Sequence, residues 1–270
     1  MNTPLNTPSH SPLLTLRQIL FATLFYTSLF VLGAMGMPML LLPRFIALGW
    51  MRCWLWLTFT ALRVIVGLRY EFKGTEHLPP GGSIFAAKHQ SAFDTFVFLQ
   101  REAKVAYIMK KELFWVPVYG WFSKKVGMIG VDRSGHSRAL RDLLKATKAA
   151  VTEGRRIIIF PQGTRTHAGS GKPYQPGIYA IYRDSGLPIT PIALNSGEFW
   201  PKSWLKRYPG TITIEFLPPI PAGLSRHDLM KKLETEIETA SLKLAGQGPA
   251  AHPSFHQGKS VKAPEHAAPH

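Results

Sequence analysis

Long apolar runs dominate the beginning of the chain. No charged side chain occurs from Ile19 to Pro43, and a helix of that length, at about 1.5 Å per residue, can cross roughly 30 Å of hydrocarbon. A second apolar stretch, from Phe45 to Leu68, is interrupted by two arginines. Residues 19–68 are therefore predicted to form hydrophobic helices that associate with a membrane, after a polar arm of residues 1–18.

The sequence alone does not decide how these helices are arranged. Gly33, Gly36 and Pro38 interrupt the first run, so a bent or re-entrant helix is as consistent with the sequence as a straight crossing. The small residues between Gly33 and Gly36 also match a cleaved signal peptide, although only Arg17 supplies positive charge before the run. For the second stretch the alternatives are a helix lying among lipid headgroups, which its tryptophans and arginines favour, and an ordinary core helix.

Basic residues are distributed unevenly around the first run. Only Arg17 precedes it, whereas five basic residues follow it: Arg44, Arg52, Arg63, Arg69 and Lys73. Because positive charge accumulates on the cytoplasmic side of membrane segments, the domain that follows is predicted to be cytoplasmic.

Beyond the apolar runs, short β-rich segments alternate with amphipathic ones, a pattern typical of an α/β domain. The predicted strands are Ser83–Ala87, Val105–Met109, Met128–Val131, Arg156–Phe160, Ile189–Leu194 and Thr211–Phe216. The predicted helices are Ser137–Glu153, with Ser137 as its cap and Gly154 as its stop, Pro176–Ser185 and Arg226–Leu244. Residues 69–245 are thus assigned to one α/β domain, and residues 246–270, rich in Pro, His, Ala and Gly, to a disordered tail.

The overall charge narrows the possible partners. Lysine and arginine total 32 against 16 acidic residues, a formal charge of +16, which favours nucleic acid, anionic lipid or a phosphate-rich substrate. The basic residues are dispersed among apolar segments and resemble no nucleic-acid-binding module, so nucleic acid is disfavoured. Cys53 is the only cysteine, which excludes a disulfide framework and agrees with a domain in the reducing cytosol.

His89 and Asp94 are the candidate catalytic residues. They lie between a predicted strand and a predicted helix, where α/β enzymes place their chemistry. Two helical residues five apart point about 140° away from each other, so His89 has to precede the helix. Asp94 in the first turn can then accept a hydrogen bond from one ring nitrogen and leave the other as a base. A surface histidine before an unrelated aspartate is the alternative.

Two other strand ends carry groups that can bind phosphate. After the strand at 156–160, the turn Phe160, Pro161, Gln162, Gly163, Thr164, Arg165 offers backbone amides, a hydroxyl and a guanidinium. Asp132 and Arg133 follow the strand at 128–131 and place a second cation at the same kind of position. The alternatives are a solvated β-turn and a weak surface ion pair.

The segment from Lys110 to Lys125 places aromatic residues between two lysine pairs. This pattern favours an apolar groove for an acyl chain, or a membrane contact, flanked by cations that bind headgroups. A buried aromatic helix with solvated lysines is the alternative.

Four of these stretches, in this order, resemble the glycerolipid acyltransferase family, and in particular its bacterial lysophosphatidate acyltransferases. They are His89 with Asp94, Gly127 through Arg133, Phe160 through Arg165, and Pro188 through Ile192. The likeness spans roughly residues 70–219.

The resemblance implies a single mixed-sheet α/β acyltransferase domain preceded by membrane-associating helices, at the cytoplasmic face of the bacterial inner membrane. His89 would take the proton from the acceptor hydroxyl, and Asp94 would orient His89. Asp132, Arg133 and residues 160–165 would hold the lysophosphatidate, and the acyl group would come from a thioester of coenzyme A or acyl carrier protein. The product would be phosphatidate, formed without a metal, a cofactor or a covalent acyl-enzyme.

The chain departs from the family pattern at two positions. Lys88 stands where an asparagine is usual, and Gln162 where a glutamate is usual. The loss of charge at Gln162 keeps open a related acyltransferase for another lysolipid, such as one with an amino-acid headgroup. Two further classes of protein stay open as well: a membrane-bound esterase, and a non-catalytic basic protein bound to anionic membrane.

Overall fold

A computed structural model describes residues 11–132 and 136–246. The strands are β1 (Leu68–Lys73), β2 (Ser83–Ala87), β3 (Val105–Lys110), β4 (Ile129–Val131), β5 (Arg156–Ile159), β6 (Ile189–Leu194) and β7 (Gly210–Phe216). The α-helices are α1 (Pro12–Met35), α2 (Arg44–Ala61), α3 (Phe93–Arg101), α4 (Tyr119–Lys125), α5 (His136–Thr152), α6 (Gly177–Ser185), α7 (Ser196–Phe199) and α8 (Arg226–Ala245).

The strands form one mixed sheet in the order β1-β7-β6-β2-β5-β3-β4. Every neighbouring pair is parallel except β6 and β7, which are antiparallel. The carboxyl ends of β6, β2, β5, β3 and β4 therefore meet at one edge, where open α/β sheets bind their ligands. The predicted mixed α/β fold is confirmed.

Most predicted elements match the observed ones within one or two residues. The helices α4 and α7 were not predicted, and two further details differ. β1 was not predicted as a strand, because its first residue continues an apolar run that resembles a helix. It pairs with β7 over six positions, from Leu68 opposite Gly210 to Lys73 opposite Glu215. The prediction of Ser137 as a helix cap is wrong, because α5 already begins at His136.

The two N-terminal helices form an antiparallel hairpin. The helix α1 ends at Met35, the chain turns through a short 3-10 segment, Met37–Leu40, and α2 runs back along α1. The indole of Trp50 donates to the Leu32 carbonyl at 2.9 Å, and that of Trp54 to the Ser28 hydroxyl at 3.1 Å. A side chain at Gly36 would collide with the Trp50 ring, so this glycine permits the close packing at the turn.

One side of the hairpin shares the core of the sheet domain. Phe21 and Phe25 of α1 pack edge to face against Trp200, and Leu55 and Phe59 of α2 belong to the same buried cluster. The predicted division of the chain at residue 69 stays a prediction, since apolar packing is continuous across it.

The other side of the hairpin is open. Large apolar side chains that are exposed there include Leu13, Leu16, Leu20, Phe30, Val31, Met35, Leu41, Phe45, Trp56 and Val64. By length and composition, Pro12–Met35 and Arg44–Val66 are both capable of crossing a membrane, and less than a third of each is buried. An apolar surface of this extent marks a contact with lipid or with protein.

Candidate active site

His89 lies in the turn that follows β2 at the carboxyl edge of the sheet. The strand ends at Ala87, the amide of Lys88 still bonds to Ile192 of β6 at 2.9 Å, and α3 begins at Phe93. The prediction that His89 precedes the helix and that Asp94 lies in its first turn is confirmed.

The Asp94 carboxylate is completely buried and fully hydrogen-bonded. Its Oδ2 atom accepts from Nδ1 of His89 at 2.9 Å and from the amides of Gln90 and Ser91 at 2.7 and 2.9 Å. Its Oδ1 atom accepts from the hydroxyl of Ser196, at the start of α7. The carboxylate also lies at the positive end of the α3 dipole. These contacts hold the turn in one conformation.

The ring of His89 is oriented from two sides. Because Nδ1 donates to Asp94, Nε2 is the nitrogen that can accept a proton. The ring of Phe160 stacks on the imidazole with centroids 4.1 Å apart and an interplanar angle of 22°. Only 15% of the His89 side chain is exposed, and it lines a cleft. The geometry is that of a general base facing a cleft.

This cleft has a volume of about 450 Å³. Its polar lining includes His89, Thr164 and Arg165. Its apolar lining includes Met51, Trp54, Leu55, Phe96, Leu99 and Met128, from α2, α3 and the loop before β4. An apolar pocket with a few convergent polar groups is the usual form of a ligand site.

The turn after β5 presents its polar groups to the cleft. Gly163 adopts a left-handed conformation, with φ of 68°, and its amide closes a turn on the Phe160 carbonyl at 2.9 Å. Thr164 and Arg165 follow and are exposed. A hydroxyl and a guanidinium placed next to each other can bind the oxygens of one phosphate.

The other predicted residues of this turn have different surroundings. Pro161 and Gln162 are buried. The side-chain oxygen of Gln162 accepts from the Thr166 hydroxyl, and its amide nitrogen lies 3.4 Å from a Glu238 oxygen. The structure therefore gives Gln162 contacts with protein groups. Pro161 and Gln162 are not among the residues that line the cleft, whereas the other four residues of the turn are.

Asp132 follows β4 at the same edge of the sheet. It lines a second, neighbouring depression that also includes Phe160, Pro161 and Gly163. Arg133 lies outside the described residues. A role for Asp132 and Arg133 in substrate binding stays a prediction.

The segment from Lys110 to Lys125 divides between cleft and surface. Lys110, Leu113, Tyr119 and Ser123 line the cleft, whereas Trp115 is 82% exposed on the outside. The segment therefore lines part of the cleft, and its role in binding an acyl chain or a membrane stays a prediction.

Sequence reasoning missed two residues that surround His89 and Asp94. Ser196 contacts Asp94 from 102 positions away. Tyr107, on β3, lines the cleft with its hydroxyl 3.4 Å from the Asp94 carbonyl, and burial raises its pKa well above the usual value, so it stays protonated. Ser196 could have been found from its position at the start of a helix directly after β6. The sequence around Tyr107 does not distinguish this residue from the other residues of β3.

Comparison with known proteins agrees with this geometry. The sequence model of the acyltransferase family matches residues 69–195, a region that includes the His–Asp turn. A 1-acyl-sn-glycerol-3-phosphate acyltransferase from Pseudomonas aeruginosa is 35% identical over 77% of this chain and 81% of its own length. The chain therefore belongs to the glycerolipid acyltransferase family that includes the 1-acyl-sn-glycerol-3-phosphate acyltransferases.

More distant relatives share the same region. A human 1-acyl-sn-glycerol-3-phosphate acyltransferase alpha is 28% identical over 62% of this chain and 61% of its own length. The crystal structure of the 1-acyl-sn-glycerophosphate acyltransferase PlsC from Thermotoga maritima has a similar fold, with a TM-score of 0.67 over 85% of this chain and 98% of that one, at 24% identity.

Proposed function

We propose that this chain transfers an acyl group from a thioester to the sn-2 hydroxyl of lysophosphatidate, yielding phosphatidate for phospholipid biosynthesis. It acts as a 1-acylglycerol-3-phosphate O-acyltransferase. The observation that carries the proposal is the 2.9 Å bond between Nδ1 of His89 and the buried Asp94 carboxylate, which leaves Nε2 for the acceptor hydroxyl at the cleft. The relatives' substrate is consistent with it.

In the proposed reaction His89 acts as a general base and then as a general acid. Its Nε2 atom removes the proton from the acceptor hydroxyl while the oxygen attacks the thioester carbonyl. The tetrahedral intermediate collapses, the carbon–sulfur bond breaks, and the same proton passes from His89 to the departing thiolate. Asp94 holds the ring in the productive tautomer and stabilises the imidazolium that forms in between.

The phosphate of lysophosphatidate is proposed to bind at Thr164 and Arg165. Both are exposed and line the same cleft as His89, so one molecule can reach the base with its hydroxyl and the turn with its phosphate. Gly163 lets the backbone approach the phosphate closely. Asp132 and Arg133 are proposed as further contacts from the neighbouring strand end.

The acyl donor is a thioester of coenzyme A or of acyl carrier protein. Both thioester carriers contain phosphate groups, and a protein with a net charge of +16 attracts such anions. The apolar part of the cleft, between α2 and α3, is proposed to take an acyl chain.

The hairpin of α1 and α2 is proposed to bind membrane lipid through its exposed apolar side chains. The sheet domain is proposed to lie at the cytoplasmic face of the inner membrane, because basic residues such as Arg44 and Arg52 follow α1. Lysophosphatidate and phosphatidate are themselves membrane components, so a membrane-bound enzyme meets its acceptor where that acceptor resides.

The test is acyl transfer measured with purified protein in detergent. A labelled acyl group is followed from acyl-coenzyme A, and separately from acyl carrier protein, to lysophosphatidate and to lysolipids with other headgroups. His89→Ala is expected to lower kcat by at least about 10³-fold. His227→Ala removes an exposed histidine at the start of α8 and serves as the matched control, with unchanged rates.

Each other outcome identifies a different enzyme. Transfer to an amino-acid-headgroup lysolipid in preference to lysophosphatidate would assign a related acyltransferase. Release of free fatty acid in the absence of acceptor would assign an esterase. Full activity in His89→Ala would refute the catalytic assignment.

A further inference from the structure

A buried ion pair lies directly behind the catalytic turn. Lys88, the neighbour of His89, is completely buried. Its Nζ atom contacts both carboxylate oxygens of Glu238 on α8, at 2.7 and 2.9 Å. Burial lowers the pKa of Lys88, and Glu238 opposes that shift. A buried lysine needs such a partner to keep its charge, because its ammonium group is no longer solvated by water.

The same carboxylate also binds the loop that follows β5. Its Oε2 atom accepts from the amide of Gly169 at 2.9 Å, and its Oε1 atom accepts from the Tyr174 hydroxyl at 3.1 Å. The side-chain amide of Gln162 lies 3.4 Å from Oε1. Glu238 is thus the meeting point of the end of β2, the loop after β5 and the last helix.

This loop needs such an anchor. Residues 160–176 contain neither helix nor strand, so few of their backbone groups have regular partners. The loop returns to the catalytic turn, where the amide of Thr166 donates to the His89 carbonyl at 2.8 Å, and the Thr166 hydroxyl donates to Gln162. Between these anchored residues lie Thr164 and Arg165, the groups proposed to bind phosphate.

We propose that Glu238 is a positioning residue that fixes the loop of residues 160–176 against Lys88, and so sets the distance between Arg165 and His89. The proposal rests on the function proposed above and adds a determinant of acceptor binding. Glu238 lies behind the loop and acts through Lys88, Gln162 and Gly169, without contacting the substrate itself. Its loss should therefore weaken acceptor binding more than it slows the chemical step.

The kinetic test uses Glu238→Gln, which keeps the shape and removes the charge. We expect KM for lysophosphatidate to rise about tenfold or more, with kcat and KM for acyl-coenzyme A changed by less than about threefold. Glu236→Gln, an equivalent change elsewhere on α8, is the matched control and should leave all three parameters unchanged. Equal effects on both substrates, or a loss of kcat alone, would overturn the positioning role.

A rescue experiment separates charge from packing. Gln162→Glu alone brings a second carboxylate against Glu238 and should raise KM for the acceptor. Gln162→Glu combined with Glu238→Gln moves the negative charge from the helix to the loop and keeps one carboxylate for Lys88. This double variant should have a lower KM for the acceptor than either single variant. Independent, additive losses from misfolding would not produce such a coupling. A double variant as weak as the product of the two singles would contradict the proposal.

Hydrogen exchange provides a readout that does not depend on activity. In Glu238→Gln, backbone amides of residues 163–174 should exchange about tenfold faster than in the natural chain, whereas those of β2 and β5 should not. Unchanged exchange in the loop would refute the positioning role even in active protein. If the natural chain acylated no lysolipid, the proposed function would fail, and the exchange result would still decide whether Glu238 fixes the loop.

Discussion

Two carboxylates, the buried Asp94 and the partly exposed Glu238, support the turn that carries His89 from different parts of the chain. Asp94 is five residues from His89 and accepts bonds from its ring, from two local amides and from Ser196. Glu238 is 150 residues from Lys88 and joins it to the loop after β5. Asp94 is placed to orient the His89 ring, whereas Glu238 is placed to hold the loop of residues 160–176. Removal of the Asp94 charge should therefore lower kcat, and removal of the Glu238 charge should raise KM for the acceptor.

The largest expected effect is that of Asp94→Asn on kcat. Asparagine has a similar shape but lacks the charge that stabilises an imidazolium at His89, and it also presents donors to a site that supplies four donors. We expect kcat to fall about 10³-fold or more, measured as acyl transfer at saturating substrates. Asp184→Asn, on the exposed side of α6, should have no effect. A loss below about tenfold would mean that Asp94 only shapes the turn.

Next in size is the effect of Lys88→Met on stability. The variant leaves the Glu238 carboxylate without its cation, and breaking a buried pair in this way costs about 3 kcal/mol. Urea unfolding should show this loss in the free energy of unfolding. Lys232→Met breaks a surface pair with Glu236, 3.8 Å apart, and should cost less than about 0.5 kcal/mol. Equal losses of unfolding free energy in the two variants would show that burial does not make the Lys88 pair more important for stability than a surface pair.

A smaller effect is expected for Ser196→Ala. It removes one of the four bonds to Asp94 and leaves the bond to His89 intact. A hydrogen bond to a charged group is worth about 1.5 kcal/mol, so kcat should fall about tenfold while KM changes little. Ser185→Ala, at the end of α6, is the control. A rise in KM for the acceptor without a change in kcat would show that Ser196, like Glu238, affects acceptor binding and not the chemical step.

The smallest effect concerns pH. Because burial lowers the pKa of Lys88, the folded chain releases this proton at a lower pH than the unfolded chain does. The unfolded chain then binds more protons, so the stability contributed by Lys88 rises with pH. We expect the difference in unfolding free energy between the natural chain and Lys88→Met to increase as pH approaches 10.5, the ordinary lysine value. A decrease would mean that the pair with Glu238 outweighs desolvation.

The two carboxylates also show what the sequence can predict. The pair of His89 and Asp94 was predictable because it is local: the spacing and the boundary between strand and helix fix their relative positions. The strand ends that carry Arg165 and Asp132 were predictable for a similar reason, since parallel strands bring their carboxyl ends to one edge.

Contacts between distant segments were not predictable in this way. Lys88 and Gln162 appeared in the sequence as two unrelated departures from the family pattern, yet both contact Glu238. Nothing in the α8 sequence separates Glu238 from the neighbouring glutamates until the helix is packed on the sheet. The pairing of β1 with β7, about 140 residues later, was likewise not visible in either segment alone.

The position of α2 has a consequence for how the rate should be measured. Met51, Trp54 and Leu55 of this helix line the cleft, while Trp56 and Leu57 of the same helix face outward. With such a helix in the bilayer, the acceptor arrives by lateral diffusion, and the quantity that the enzyme senses is the mole fraction of lysophosphatidate in the surface. Adding inert detergent at constant bulk concentration should then slow the reaction by surface dilution alone.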